Sequence, residues 1–208
     1  MGTVGLFFVG AVLFVNGLSL LGATSARSAA PLNLFVGAMQ VALPTLAIIL
    51  ARGDLEASYA VAATFLFGFT YLFVGIDAYT GSDGSGLGWF SAFVAVSALW
   101  FGSQAWATDP VFTVVWLLWA LMWTMFFAVL ALGRTELVPF TGWLLVLGSH
   151  ATATVPALLL FEGSWPTSRS AAAVALVGAV AVVAAAAALA RSRPTIPSAG
   201  TPSAEVHH

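Results

Sequence analysis

Charge is nearly absent from this chain. Six arginines and eight carboxylates make up 7% of 208 residues, hydrophobic residues reach 61%, and mean hydropathy is +1.02. That leaves too little polar surface for a soluble globule and points to an integral membrane protein. No basic run is present to bind nucleic acid or an anionic lipid patch. Cysteine is missing altogether, which excludes disulfides, thiol nucleophiles and thiolate metal sites. Lysine is missing too, so a seven-helix retinal pigment, which needs an amine for its Schiff base, is excluded. Of three histidines, His207 and His208 sit at the extreme C-terminus and only His150 falls in an apolar run, so no histidine cluster can build a metal site or a membrane enzyme's active centre. No cofactor and no metal are expected.

Long apolar runs remain. Segments of about 20 apolar residues suit a bilayer, and they fall near Val4–Leu21, Leu32–Leu50, Ser58–Ile76, Leu87–Ala105, Val111–Leu132, Phe140–Phe161 and Ala171–Ala190. No strand alternation competes with them, and backbone satisfaction in lipid favours helices, so the expectation is an all-α integral membrane bundle. Arg27, Arg134, Arg191 and Arg193 lie on one side of such a bundle, Arg52 and Arg169 on the other. The positive-inside rule then sets the N-terminus outside and the C-terminus in the cytoplasm, in a multi-pass plasma-membrane protein. Residues 194–208 are rich in proline, serine and small side chains and read as a disordered cytoplasmic tail, its terminal histidine pair compatible with a tag remnant.

Connections are too short for an inserted domain or a receptor's coupling surface, and Asp77 is the only carboxylate close to a span, expected solvated at its cytoplasmic boundary. Transport leads by elimination. Ion and proton pathways keep ionisable groups inside the membrane, yet the polar residues of these spans are mostly neutral, among them Asn16, Gln40, Thr64, Thr70, Tyr71 and Thr152. Rings accompany them: Phe65, Phe69 and Phe73 at i, i+4 and i+8, and Trp116, Trp119 and Trp123 at i, i+3 and i+7. An indole stripe about 10 Å long is deeper than a headgroup belt. A slot walled by flat rings and furnished with a few hydrogen-bonding groups suits a small, planar, uncharged molecule such as an amide. On residues alone the default reading of the stripe is helix packing or lipid contact; Thr70 and Tyr71 fit bonds between helices, and Asn16 fits either an interhelical bond or a pore contact.

The stretches GLFFVGAVLFVNGLSLLG, LNLFVGAMQ, FLFGFTYLFVGID, GLGWFSAFVAV, VWLLWALMW and FTGWLLVLGSHATATVPALLL occur in the order and spacing of the AmiS/UreI family of amide transporters and acid-gated urea channels. The resemblance runs from residue 4 to about residue 162. It implies six helices and a separate pore per protomer, a homohexameric ring with lipid in its centre, and an external N-terminus. Carried over by position, it makes Trp116, Trp119, Trp123, Phe69 and Phe73 pore-lining candidates and also points to Asn16; Thr70 and Tyr71 join them as polar groups inside the third span. Where the urea channels tend to have a tyrosine after FTYL this chain has Phe73, and their sixth-helix glutamate is replaced by Gly148, followed by Ser149 and His150. His150 has two readings, a neutral imidazole bonded to a neighbouring helix or a polar contact for a permeating amide; it points about 200° away from position 148 on an ideal helix and cannot simply replace the glutamate. GLGWF and FFAVLALGR resemble the amide-transporter branch.

The resulting expectation is a channel domain over residues 1–165, a seventh transmembrane helix over residues 166–193, peripheral to the pore, and the tail. Its function would be passive permeation of short aliphatic amides and urea, with membrane lipids as partners and a cytoplasmic amidase or urease maintaining the gradient. The external segments ARGDLEAS, WATDP and FEGSWPTSRS contain no histidine, the side chain that senses mild acid, so gating by external acid is not expected. The alternative is a structural or sensory multi-helix protein whose aromatics are core.

Overall fold

The computed structural model describes residues 2–192, so the expected tail and Arg193 lie outside the described residues. Its elements are α1 (Thr3–Leu20), α2 (Ala26–Leu50), α3 (Leu55–Thr80), α4 (Ser85–Ala105), α5 (Pro110–Phe126), α6 (Val138–Ser149), α7 (Val155–Phe161) and α8 (Arg169–Arg191). A π-helical turn over Phe127–Ala131 prolongs α5, and another over His150–Thr154 joins α6 to α7 into one sixth span. Among the described residues, seven segments are long and apolar enough to cross a membrane, and each coincides with a run expected from the sequence.

The ends of these helices follow from local chemistry. Ser25, Asp109 and Ser168 cap α2, α5 and α8, each side-chain oxygen accepting an N–H three residues on, at 3.1, 2.9 and 3.1 Å. Gly22 and Gly163 close the first and sixth spans in the left-handed region, where a Cβ would be strained. Asp109 does more than cap: its second oxygen accepts the Trp165 indole N–H at 2.8 Å, tying the loop before α8 to the start of α5.

Lipid tails are as apolar as leucine, so burial alone does not drive these helices together; close backbone approach and interhelical hydrogen bonds do. At the α1–α6 crossing a Cβ on Gly17 would come within 2.8 Å of the Gly142 carbonyl and the Val146 backbone nitrogen. In the α2–α3 pair, Gly37 approaches the Leu72 nitrogen and the Gly68 carbonyl at 2.8 and 3.0 Å in the same sense. Between α1 and α2 the side-chain amides of Asn16 and Asn33 bond reciprocally, Asn16 Nδ2 to Asn33 Oδ1 at 2.9 Å and Asn33 Nδ2 to Asn16 Oδ1 at 2.7 Å, both residues buried. The third, fourth and fifth spans complete an interior around Phe67 and the three indoles. α8 packs on the periphery of the bundle, against α5 and the sixth span, and buries only Ala172 and Ala186, the latter joining this core.

Two outcomes follow for stability. Gly17→Val places a branched side chain, Cβ first, against rigid backbone, and overpacking of that kind costs about 1–3 kcal/mol or more; a thermal melt of the detergent-solubilised protein should show a large drop or no folded material. Asn33→Ala removes both amide bonds and strands the Asn16 amide, expected at about 1–3 kcal/mol. Adding Asn16→Ala to it should cost much less than Asn16→Ala alone, because the two residues share one interaction.

Candidate functional site

The interior cavity begins with the faces of α1, α3 and α5. Leu13 and Asn16 from α1, Phe67, Thr70, Tyr71 and Val74 from α3, and Trp119, Met122, Trp123 and Phe126 from α5 enclose about 20 Å³, room for about one water. Phe67 joins its wall to the indoles: the ring lies edge-on to Trp119 and Trp123, with centroids at 4.8 and 4.7 Å. Toward the start of α1, Leu6 and Val9 are fully buried in the same core, so that side of the aromatic cluster is filled. In the other direction the cavity meets a vestibule of about 280 Å³, which shares Asn16, Val74, Leu87 and Phe126 with it.

The vestibule opens at the end of the bundle where α1 meets α2 and α3 meets α4. Ser19, Asp77, Ser82 and Asp83 line it. The Ser82 hydroxyl donates to Asp77, and Asp83 accepts both the backbone N–H and the hydroxyl of Ser85, at 2.9 and 2.7 Å. Those donors hold the Asp83 carboxyl below its ordinary range, so it stays ionised to lower pH than a free aspartate.

Trp119 is held by a chain of bonds that starts with a proline. Pro156 offers no N–H, and its ring would crowd the carbonyl four residues earlier, at Thr152, in a regular helix; the backbone takes a π turn over His150–Thr154 instead. The turn aims Thr152 inward, where its hydroxyl accepts the Trp119 indole N–H at 2.9 Å and donates to the Gly148 carbonyl at 2.6 Å. A Cβ on Gly148 would fall 2.1 Å from the Met122 methyl, so the methionine occupies the space a side chain there would need. The Tyr71 hydroxyl is buried without a hydrogen-bond partner, whereas Thr70 spends its proton on the Leu66 carbonyl at 2.7 Å. Asn16 keeps one amide N–H beyond the one given to Asn33.

Of the nine residues singled out in the sequence, Asn16, Thr70, Tyr71, Trp119 and Trp123 come together around the cavity. Trp116 packs behind them, stacked on Phe101 at 5.4 Å and edge-on to Trp119 at 4.9 Å. Phe69 and Phe73 are not brought there: they are 48% and 38% exposed on the outer face of α3, in a shallow groove with Leu72 and Phe90. Phe67, two residues before Phe69, occupies the inner face instead. His150 is also outward, exposed beside the Phe14 ring at 5.3 Å, opposite the side on which Thr152 meets Trp119. Sequence reasoning missed Phe67, Met122, Asn33 and the role of Thr152. Phe67 did carry a signal, since it stands four residues from Tyr71 and three from Thr70, the polar pair on the inner face of α3.

The AmiS/UreI family transporter model matches residues 1–164, the first six spans. The chain belongs to the AmiS/UreI family. This family comprises transporters and channels rather than enzymes. Among relatives, a Rhodococcus erythropolis protein named as the transporter AmiS2 is 53% identical over 175 residues, covering 83% of this chain and 85% of that one. A Mycolicibacterium smegmatis protein named as an amidate-substrate transporter is 49% identical over 181 residues, 86% of this chain and 85% of its own. The crystal structure of the Helicobacter pylori urea channel superposes with a TM-score of 0.72 at 29% identity, covering 80% of this chain and all of that one. The protein is thus a multi-pass membrane transporter or channel whose AmiS/UreI core ends before α8.

If the Thr152 hydroxyl fixes Trp119, Thr152→Val should leave a folded protein destabilised by about 1–2 kcal/mol with an indole free to turn. Indole mobility, read as tryptophan fluorescence anisotropy of a variant retaining only Trp119, should rise; unchanged anisotropy would show that packing, not the bond, sets the ring.

Proposed function

We propose that the protein is a passive facilitator for small neutral amides, short aliphatic amides first and urea second, and that external acid does not gate it. The observation that carries this reading is the make-up of the cavity: flat rings on its walls, an unpartnered phenol and a spare amide N–H facing in, and no carboxylate, histidine or arginine among its lining residues. A charged solute would meet no compensating charge there. An amide carbonyl could instead accept from Tyr71 and from Asn16, and its faces slide between Phe67, Trp119 and Trp123. The names of the relatives, amidate-substrate transporter and acid-activated urea channel, fit this substrate class.

No side chain placed to couple an ion gradient is seen in the cavity, so flux runs down a gradient, which a cytoplasmic amidase or urease would maintain. We place the vestibule and Arg27, Arg134 and Arg191 on the cytoplasmic side of the inner membrane, with the N-terminus outside, and infer six copies to the ring, each with its own pore, in contact with membrane lipid. The exposed Phe69 and Phe73 then suit contacts between protomers rather than contacts with solute.

Stopped-flow measurement of proteoliposomes under acetamide, propionamide or urea gradients tests the reading. Rates above those of protein-free vesicles are expected, and rates equal to them return the alternative of a structural or sensory bundle. Trp123→Ala and Trp119→Ala should blur discrimination between urea and propionamide while the oligomer persists, with rate free to rise because a constriction has been widened. Phe69→Ala should leave discrimination intact.

A flat pH response is the second outcome. The described loops at the Arg52 end carry no histidine, His150 lies away from the cavity, and the depressed Asp83 carboxyl remains charged throughout the range. Permeability should change less than about twofold between external pH 5 and 7.5, a window that spans the ordinary histidine pKa of about 6.5. A several-fold rise on acidifying only the outside would sink the ungated reading.

A further inference from the structure

The chain contains two asparagines, Asn16 and Asn33, and the fold pairs them. Only Asn16 reaches the pathway: it lines both the cavity and the vestibule, whereas Asn33 lines neither and is fully buried. Asn33 nevertheless decides which way the Asn16 amide faces. The Ala29 carbonyl can only accept, and it lies 3.1 Å from the Asn33 side-chain nitrogen, so Nδ2 is the end of that amide turned toward Ala29. The Asn33 oxygen is thereby set on the far side, where it accepts Asn16 Nδ2 at 2.9 Å, while Asn33 Nδ2 gives its second proton to Asn16 Oδ1 at 2.7 Å. Turning either amide over alone would set nitrogen against nitrogen and oxygen against oxygen. Turning both together would set the Asn33 oxygen against the Ala29 carbonyl. The orientation is locked.

A reciprocal amide pair has two outer edges. Ala29 lines the vestibule and precedes Asn33 by one turn of α2. On the edge nearer to it, Asn33 spends an N–H on the backbone and Asn16 shows the free side of its oxygen. The opposite edge carries the one proton of the four without an acceptor among the described residues, on Asn16 Nδ2. That edge looks away from the vestibule, into the constricted cavity, where the Tyr71 hydroxyl is also unpartnered. Two proton donors thus stand on the cavity side of the junction and an oxygen on the vestibule side.

We propose that Asn33 is a positioning residue of the permeation pathway: it fixes the Asn16 amide with its spare N–H toward the constriction, so that a solute at the junction is held by a carbonyl oxygen. The specificity this adds is for acceptor strength. Rings sort a solute by width, whereas a locked donor sorts it by the oxygen it brings, and amides and urea bring strong acceptors. A freely turning amide would offer nitrogen and oxygen alike and would discriminate less. The role in selection rests on the facilitator reading given above; the lock itself does not.

The full chain in nanodiscs, carrying asparagine labelled with ¹⁵N at its side-chain nitrogen, tests the lock directly. Four amide protons are then the whole signal, and rotation about an amide C–N bond is slow enough to keep the two protons of each group distinct. Three should exchange slowly with deuterated water and one, on Asn16, quickly; acetamide should shift that proton and leave the Asn33 pair in place. Four protons alike in exchange, or a shift confined to Asn33, overturns the lock, and no shift with acetamide overturns its role at the junction. In proteoliposomes the wild type should favour urea over thiourea, whose sulfur is the weaker acceptor, and Asn33→Ala should reduce that preference several-fold. Val36→Ala, which trims a buried side chain three residues along α2, should lower stability and leave the preference as it was. An unchanged preference in assembled Asn33→Ala, or an equal loss in Val36→Ala, overturns the positioning role. Wild-type rates equal to those of protein-free vesicles, alongside three protected protons, would overturn the facilitator reading and with it the selection, while the locked amide stood.

Discussion

A hydrogen-bond donor inside a bilayer has no water to fall back on, and the bond from Trp119 to Thr152 is where this constraint shapes the interior. An indole N–H deep in the core needs an acceptor, and the neighbouring span supplies one only because Pro156 interrupts its regular turn. The Thr152 hydroxyl donates its own hydrogen bond to the Gly148 carbonyl, so donor and acceptor are both satisfied. With Trp119 pinned, Phe67 has a fixed ring to stand against, in edge-on contact at 4.8 Å between centroids. The absent side chain at Gly148 belongs to the same arrangement, since it leaves room for the Met122 methyl that completes the cavity wall.

Neutrality of the cavity is the second consequence of the same solvent. Burying a charge in hydrocarbon is costly, and natural bundles keep one inside where function requires it. Here the inward polar groups are an amide, a phenol and a threonine, while the carboxylates Asp77 and Asp83 stop at the vestibule. The Asn16–Asn33 pair is itself a primary-amide dimer. A permeating primary amide presents the same donor and acceptor edge, so the group that joins α1 to α2 is chemically matched to the solute class proposed for the pore.

The fold was legible from the sequence because its signal is length and apolarity, which need no knowledge of partners: all seven runs became helices. The cavity was legible only in part. Asn16, Thr70 and Tyr71 are polar residues in a medium that drives polar groups inward, and they did turn inward. The phenylalanine stripe misdirected the reading, because a ring is at home in lipid as well as in a core, and periodicity alone does not say which face looks where. The inward polar pair decides that for α3, and it selects Phe67 over Phe69 and Phe73. Thr152 was hidden for a different reason. A π turn rotates every later residue off the 100° helical register, so the bond it makes cannot be found by counting along an ideal helix.

A cavity with room for about one water is narrower than any amide, so passage along the proposed route would require side chains to move, and the bonding pattern indicates which. Trp119 is tied through its N–H, and Trp116 is stacked on Phe101 behind it. Tyr71 has no hydrogen-bond partner to give up, and the Trp123 indole makes no hydrogen bond among the described residues. Met122 is an unbranched thioether that re-packs at small cost. The yielding wall is thus Tyr71, Met122 and Trp123, on the vestibule side, and the rigid wall is Trp119 with Phe67 against it. For the pathway proposed above, this division would put size selection at the fixed pair and hydrogen-bond exchange at the mobile phenol, so a solute would be sorted by its width before its polar edge finds a partner.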